Sequence, residues 1–401
     1  MKSSRNLSLS KVFLFSFLAV FLCTITYLLL PSNYYIHKAL IHQMPKINQY
    51  TIFNNRIVKA DNPHPWEFAS DIDNKQIAPE FTPDFDKYET VAFIVIQHKK
   101  IILEQYWGNY SPLSLSNSFS MSKSIISLLV GCAISDGKIK SVDQPVSDFL
   151  PEWNSFEGKA LTIKDLLTMS AGVEWVESHS TLFSKTTEAY YGKDLWNLTL
   201  TEKLIEKPGV RFNYQSGVSQ MLAFLLQKAT GKKISDYASQ KIWTPIQAEE
   251  DAMWSLDRKD GMEKAYCCFN TNARDFARLG QLVLNKGEWD GAVVVDSNYI
   301  RQATTPASWL QYTPKTTDSE SVSVKPRPCE FYGYQFWIAN YKGLKIPYMR
   351  GILGQYIFVV PELDAVIVRL GKKRDKAYNL QQNYTNDVDI WLNAGLEVIN
   401  R

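Results

Sequence analysis

Histidine is scarce in this 401-residue chain. The five are His37, His42, His64, His98 and His179, scattered along the sequence. None has the acid-rich surroundings that would suggest a Ser-His-Asp arrangement, and each is expected on the surface or in a loop. Cysteine is equally sparse: Cys23, Cys132, Cys267, Cys268 and Cys329. No Cys-x-x-Cys pair or Cys/His spacing of the kind that holds zinc is present, so no metal site is expected. The adjacent Cys267 and Cys268 are expected to point to opposite sides of an extended segment. A bridge from one of them to Cys329 stays open. Charge of one sign is also lacking. A formal net charge of +3 is too small to argue for nucleic acid as a partner.

What the chain does have is a globular composition, 45% hydrophobic and 21% charged, with 11 Trp, 21 Tyr and 20 Phe. That length and composition suffice for a large core. Residues 12–30 carry no charge and follow Lys2, Arg5 and Lys11. A run of that length matches the hydrocarbon thickness of a bilayer. It is expected to be an uncleaved signal anchor, with residues 1–11 in the cytoplasm and the rest of the chain periplasmic or otherwise extracytoplasmic. No small-residue cleavage site follows it, although a cleaved signal peptide is the competing reading. Residues 31–85, dotted with proline, read as a stalk and wrapping segment. Residues 86–401 read as the folded domain.

Within that domain the hydrophobic period changes twice. Residues 89–97 and 101–106 are β-rich and flank a probable hairpin turn at 98–100. A largely helical middle follows. Thr162 to Asp165 carries a capping-box pattern, and helices are expected over 216–230 and 271–284. Strand patterns return at 332–339, 354–360 and 365–370, with a final amphipathic helix over 386–398. This order implies an α+β fold. An antiparallel sheet of about five strands would come from both ends of the domain, with a helical region inserted between its halves.

Ser120-Met121-Ser122-Lys123 lies at the start of an apolar helical run. Residues three apart share a helix face, so the amine of Lys123 can lie against the hydroxyl of Ser120. Serine needs such a base to become a nucleophile, and a lysine serves when its pKa is depressed. The same four residues also make an ordinary helix cap.

Longer stretches raise the pattern above chance. They are SFSMSKS (118–124), DLLTMSAGVEW (165–175), RFNYQSGVSQML (211–222), CCFNTNARDFARLGQL (267–282), YGYQFWI (332–338) and the run 351–371. Together they resemble the serine β-lactamase and penicillin-binding-protein superfamily, in its class C-like esterase and amide hydrolase branch around 6-aminohexanoate-dimer hydrolase. The resemblance implies Ser120 as acylated nucleophile and Lys123 as its base. It implies Tyr214, as phenol or phenolate, as the group that shuttles a proton to the leaving group. Ser216 would bond Lys123 or the substrate.

The third family element, a Lys-Thr-Gly-type triplet, corresponds here to Ile352-Leu353-Gly354 and lacks its cation. Arg350 is the nearest substitute. The resemblance then implies an oxyanion hole from the backbone amides of Ser120 and Gln355, with Gly354 letting substrate approach. Asn270 would either contact the acyl group or cap the following helix. Trp175, Tyr332 and Trp337 are candidate pocket walls. The expected activity is hydrolysis of small esters or short linear amides by an acyl-enzyme, without cofactor. A D,D-peptidase or β-lactamase, and a non-catalytic ligand sensor, are the alternatives.

Overall fold

A computed structural model describes residues 9–178, 181–314 and 325–400; His179 lies outside them. The elements used below are α1 (Leu9–Leu29), α2 (Tyr34–His42), β1 (Glu67–Phe68), β2 (Thr90–Gln97), β3 (Lys100–Tyr106), α3 (Ser122–Ser135), α4 (Lys185–Tyr191), α5 (Ser216–Thr230), α6 (Ala273–Leu284), β4 (Trp337–Tyr341), β5 (Leu344–Gly351), β6 (Gln355–Val360), β7 (Ala365–Gly371) and α7 (Asp387–Asn400).

The main sheet has seven strands in the order β4-β5-β6-β7-β2-β3-β1. All neighbours are antiparallel except the short β1, which runs parallel to β3. The two ends of the domain meet where β7 pairs with β2, from Ala365↔Gln97 to Gly371↔Thr90. Both strands are buried along almost their whole length and mainly apolar, with Arg369 the one charge, as a sheet covered on both faces requires. α6 lies close against β7 and β6. Gly280 makes this possible, because a Cβ there would stand 2.5 Å from Val366. α7 packs over β7 and β2, with Trp391 edge-on to Phe85.

The class was therefore legible, and the strand inventory was not. β5 was missed because Lys345, Pro347 and Arg350 interrupt its apolar pattern. Proline is tolerated there because pairing with β6 begins only at Tyr348↔Phe358, one residue later. The strand expected over 332–339 is confined to Trp337–Tyr341. Gly354 and Leu353 belong to the β5–β6 turn, both at positive φ, and β6 starts at Gln355.

Residues before the domain wrap it closely. Asn55–Val58 pairs with Ala252–Ser255 in a second, four-stranded sheet, which also holds Ser116–Asn117 and Phe269–Thr271. α2 packs on α4, and Tyr191 donates its hydroxyl to the Gln43 carbonyl at 2.7 Å. α1 is apolar and solvent-facing along the length described, and long enough to cross a bilayer.

Candidate active site

The turn carrying Ser120 is built before the helix begins. Ser120 sits in a 3₁₀ turn, Phe119–Met121, that leads into α3. Phe119 is held at φ +43°, a conformation non-glycine residues adopt only when the surroundings enforce it. Here its amide donates to Asn117 Oδ1 at 2.8 Å, and the Ser118 hydroxyl donates to its carbonyl at 3.0 Å. Ser120 is thereby presented to a cavity while Lys123 stays buried beneath it.

Lys123 Nζ lies 3.1 Å from Ser120 Oγ, 3.3 Å from Ser216 Oγ and 2.8 Å from the Tyr266 carbonyl. Burial pulls its pKa down to about 8, against the opposing pull of the Glu177 carboxylate. A neutral amine has two N–H groups and one lone pair. The Tyr266 carbonyl is an obligate acceptor. Ser216 becomes one as well, because its hydroxyl donates to Glu177 Oε1 at 2.7 Å. Both N–H groups are therefore engaged, and the lone pair is left for the Ser120 hydroxyl.

Glu177 carried no signal in the sequence. It lies in the loop after Trp175 and also accepts the Ser216 amide at 2.8 Å and the Trp175 indole N–H at 2.9 Å. Its oxygens thus fix the start of α5 and the orientation of Ser216 together. Trp175 itself is buried against Gly217, where a Cβ would meet its ring at 2.5 Å. It is a support for Glu177 and not a pocket wall.

Tyr214 is half-buried beside Ser120, with its ring centroid 5.1 Å from Lys123 Nζ. Burial pushes its pKa upward, and a hydrogen bond with Ser120 only partly offsets this. Burial therefore favours the neutral phenol over the phenolate that the resemblance allowed. Trp337 backs it at 5.3 Å between ring centroids and Tyr332 meets it edge-on at 6.2 Å; both rings are buried.

Other expected residues fall elsewhere. Arg350 stacks on Trp337, its guanidinium 3.3 Å from the ring centroid, and donates to the Asn383 carbonyl. Asn270 is buried in the four-stranded sheet and donates to the Met253 and Cys268 carbonyls, while the cap of α6 is Asn272. Gln355 is buried, its side chain bonded to the Gly371 carbonyl at 2.6 Å and to the Gly371 amide at 3.2 Å. Gly354 faces Arg369, not the cavity: a Cβ there would stand 2.1 Å from Nη1 at a φ of +83°. Gly354→Ala is expected to destabilise the domain by about 1–3 kcal/mol, read as a lowered Tm in thermal unfolding.

The strand that reaches the nucleophile is the end of β5. A Cβ on Gly351 would lie 2.3 Å from the Ser118 carbonyl, so only glycine permits that approach. The next residue, Ile352, lines the same cavity as Ser120. Cys267 lines it too and is joined to Cys268, contrary to the expectation that the two diverge; Cys329 is a buried free thiol.

A serine at a strained turn, its hydroxyl against a buried, pKa-depressed lysine, on an α+β sheet closed by both ends of the domain, defines a serine acyl-transfer centre. The family model for Beta-lactamase matches residues 81–389, and the chain belongs to that family of serine hydrolases. The 6-aminohexanoate-dimer hydrolase of Paenarthrobacter ureafaciens is 25% identical over 331 residues, covering 79% of this chain and 82% of that protein. A proposed 6-aminohexanoate-dimer hydrolase from Bacillus anthracis superposes with a TM-score of 0.71 at 20% identity, over 88% of this chain and 92% of that one. A family VIII carboxylesterase superposes at 0.58 and 17% identity, over 80% and 98%.

Proposed function

We propose that this chain hydrolyses an ester or a linear amide through an acyl-enzyme on Ser120. The observation that carries the reading is the engagement of both Lys123 N–H groups, which leaves its lone pair for the Ser120 proton. Ser120 Oγ attacks the carbonyl carbon as Lys123 takes its proton. The neutral phenol of Tyr214 is suited to passing its proton to the departing alkoxide or amine and taking the Ser120 proton back from Lys123, which is left neutral for the next step. The oxyanion is assigned to the backbone amides of Ser120 and Ile352, replacing Gln355, because Ile352 shares the cavity with Ser120. Water then attacks the acyl-enzyme, with Lys123 again as base, and releases the acid.

The amidase relative favours a linear amide and the carboxylesterase fold is compatible with an ester. The penicillin-directed alternative needed Arg350 as its cation, and the stacking on Trp337 removes that support. α1 is proposed to anchor the enzyme, with its domain outside the cytoplasm. Mixing the protein with a slowly deacylated activated ester and measuring the intact mass tests the proposal. One acyl group should appear on the peptide containing Ser120. Turnover with no adduct under rapid quench, or an adduct elsewhere, contradicts it.

A further inference from the structure

The cavity above Ser120 is about 430 Å³, within the range of small-molecule sites, and its walls are mainly apolar. One wall is α2, through Ala39 and Leu40, continued by Met44, and α4, packed beside it, adds Thr186, Tyr190 and Tyr191. α2 begins five residues after α1 ends, a distance the extended chain spans in at most about 17 Å. If α1 crosses a membrane, the cavity therefore opens close to the lipid surface. Large apolar side chains that line the cavity stand partly exposed: Leu40, Met44 and Leu182.

A second cleft of about 760 Å³ adjoins the first and shares Met44 and Ile352 with it. It is lined by Lys87, Lys372, Lys373, Arg374 and Lys376. Lys373 is paired with Glu89 at 2.5 Å. Asp375, the carboxylate lining this cleft, is already engaged with the Tyr88 hydroxyl and the Ala377 amide. The remaining cations outnumber it, so the cleft favours an anion. Arg350 and, after it, Arg374 both draw the Tyr214 phenol downward, against the larger effect of burial. The segment after β7 thus sets cationic side chains in the cleft that Ile352 and Leu353 also line.

We propose that the substrate is a membrane-derived amphiphile: an ester of one long acyl chain whose alcohol portion carries a phosphate or carboxylate. This rests on the acyl-enzyme and membrane-anchor readings above. The chain lies in the apolar cavity against α2, the carbonyl sits at Ser120, and the anion lies beyond Ile352 on the cationic cleft. Attack by Ser120 breaks the bond between carbonyl carbon and alcohol oxygen. The alcohol leaves with the proton delivered by Tyr214, which regains the Ser120 proton from Lys123, and water then cleaves the acyl-enzyme to the free fatty acid.

The test uses the full chain in neutral detergent micelles. Glycerol 3-phosphate esters of acetyl, octanoyl and dodecanoyl chains are compared with dodecanoyl glycerol and with the dodecanoyl ester of glycolate. Values of kcat/KM should rise at least about 100-fold from acetyl to dodecanoyl, as burial of added methylenes dictates. One of the two anionic dodecanoyl esters should exceed the neutral one by about tenfold, and the larger value identifies the anion. Leu40→Glu should reduce the dodecanoyl-to-acetyl ratio at least tenfold, and Arg374→Gln should reduce the anionic-to-neutral ratio about fivefold. A flat chain-length profile, or a preference for the neutral ester, overturns the inference while Ser120-dependent turnover leaves the acyl-enzyme standing. Absence of any Ser120-dependent turnover overturns both.

Discussion

Replacing Lys123 with arginine is expected to lower kcat/KM for an activated ester on the order of 10³-fold or more, although the positive charge is kept. The loss follows from what the site asks of the residue. Lys123 is buried and its pKa is drawn down to about 8, so a sizeable neutral fraction exists near neutral pH. A guanidinium stays protonated at any workable pH and has no lone pair to offer Ser120. The larger planar group must also fit where one nitrogen now meets Ser120, Ser216 and the Tyr266 carbonyl. If the arginine variant keeps more than a tenth of wild-type kcat/KM, charge and not proton abstraction is what the lysine provides.

Glu177→Gln should give the second large effect, and it separates into two measurements. For wild type, kcat/KM should rise with pH through about 8, because Lys123 must lose its proton to act as base. Glu177 favours the protonated amine, so removing its charge should move that acid limb to lower pH. At the same time an amide cannot accept through both positions that now receive the Ser216 hydroxyl, the Ser216 amide and the Trp175 indole. One buried donor loses its partner, or the Ser216 hydroxyl turns round. The expected cost is about 1–3 kcal/mol, or roughly 5- to 150-fold in the plateau value of kcat/KM. A lowered plateau with an unmoved acid limb would mean that Glu177 acts on α5 and Trp175 alone.

The sequence carried the nucleophile and its base because both lie within one helical turn, where spacing alone determines proximity. Tyr214 and Ser216 were readable for a similar reason, being fixed at the start of α5. Glu177 and the Tyr266 carbonyl were not. Each reaches Lys123 from a distant loop, and a backbone acceptor leaves no mark in residue type. The sequence reading put the second oxyanion amide at Gln355 and the proposal puts it at Ile352, three residues earlier, because two glycines lie in this stretch. Only packing tells them apart: Gly351 clears the Ser118 carbonyl and Gly354 clears Arg369. The segment 31–85 read only as a stalk and wrapping segment, without elements, because its prolines break periodicity. Its strand at Asn55–Val58 and the wall formed by α2 depend on partners far along the chain.

The central claim is that Ser120 is the activated nucleophile. Labelling the purified full chain with a fluorophosphonate probe, beside Ser120→Ala and Lys123→Ala, tests it most directly. Wild type should label to near one equivalent, and faster as pH rises through about 8. Ser120→Ala should not label, and Lys123→Ala should label slowly despite retaining Ser120. Equal labelling of Ser120→Ala and wild type would contradict the mechanism outright.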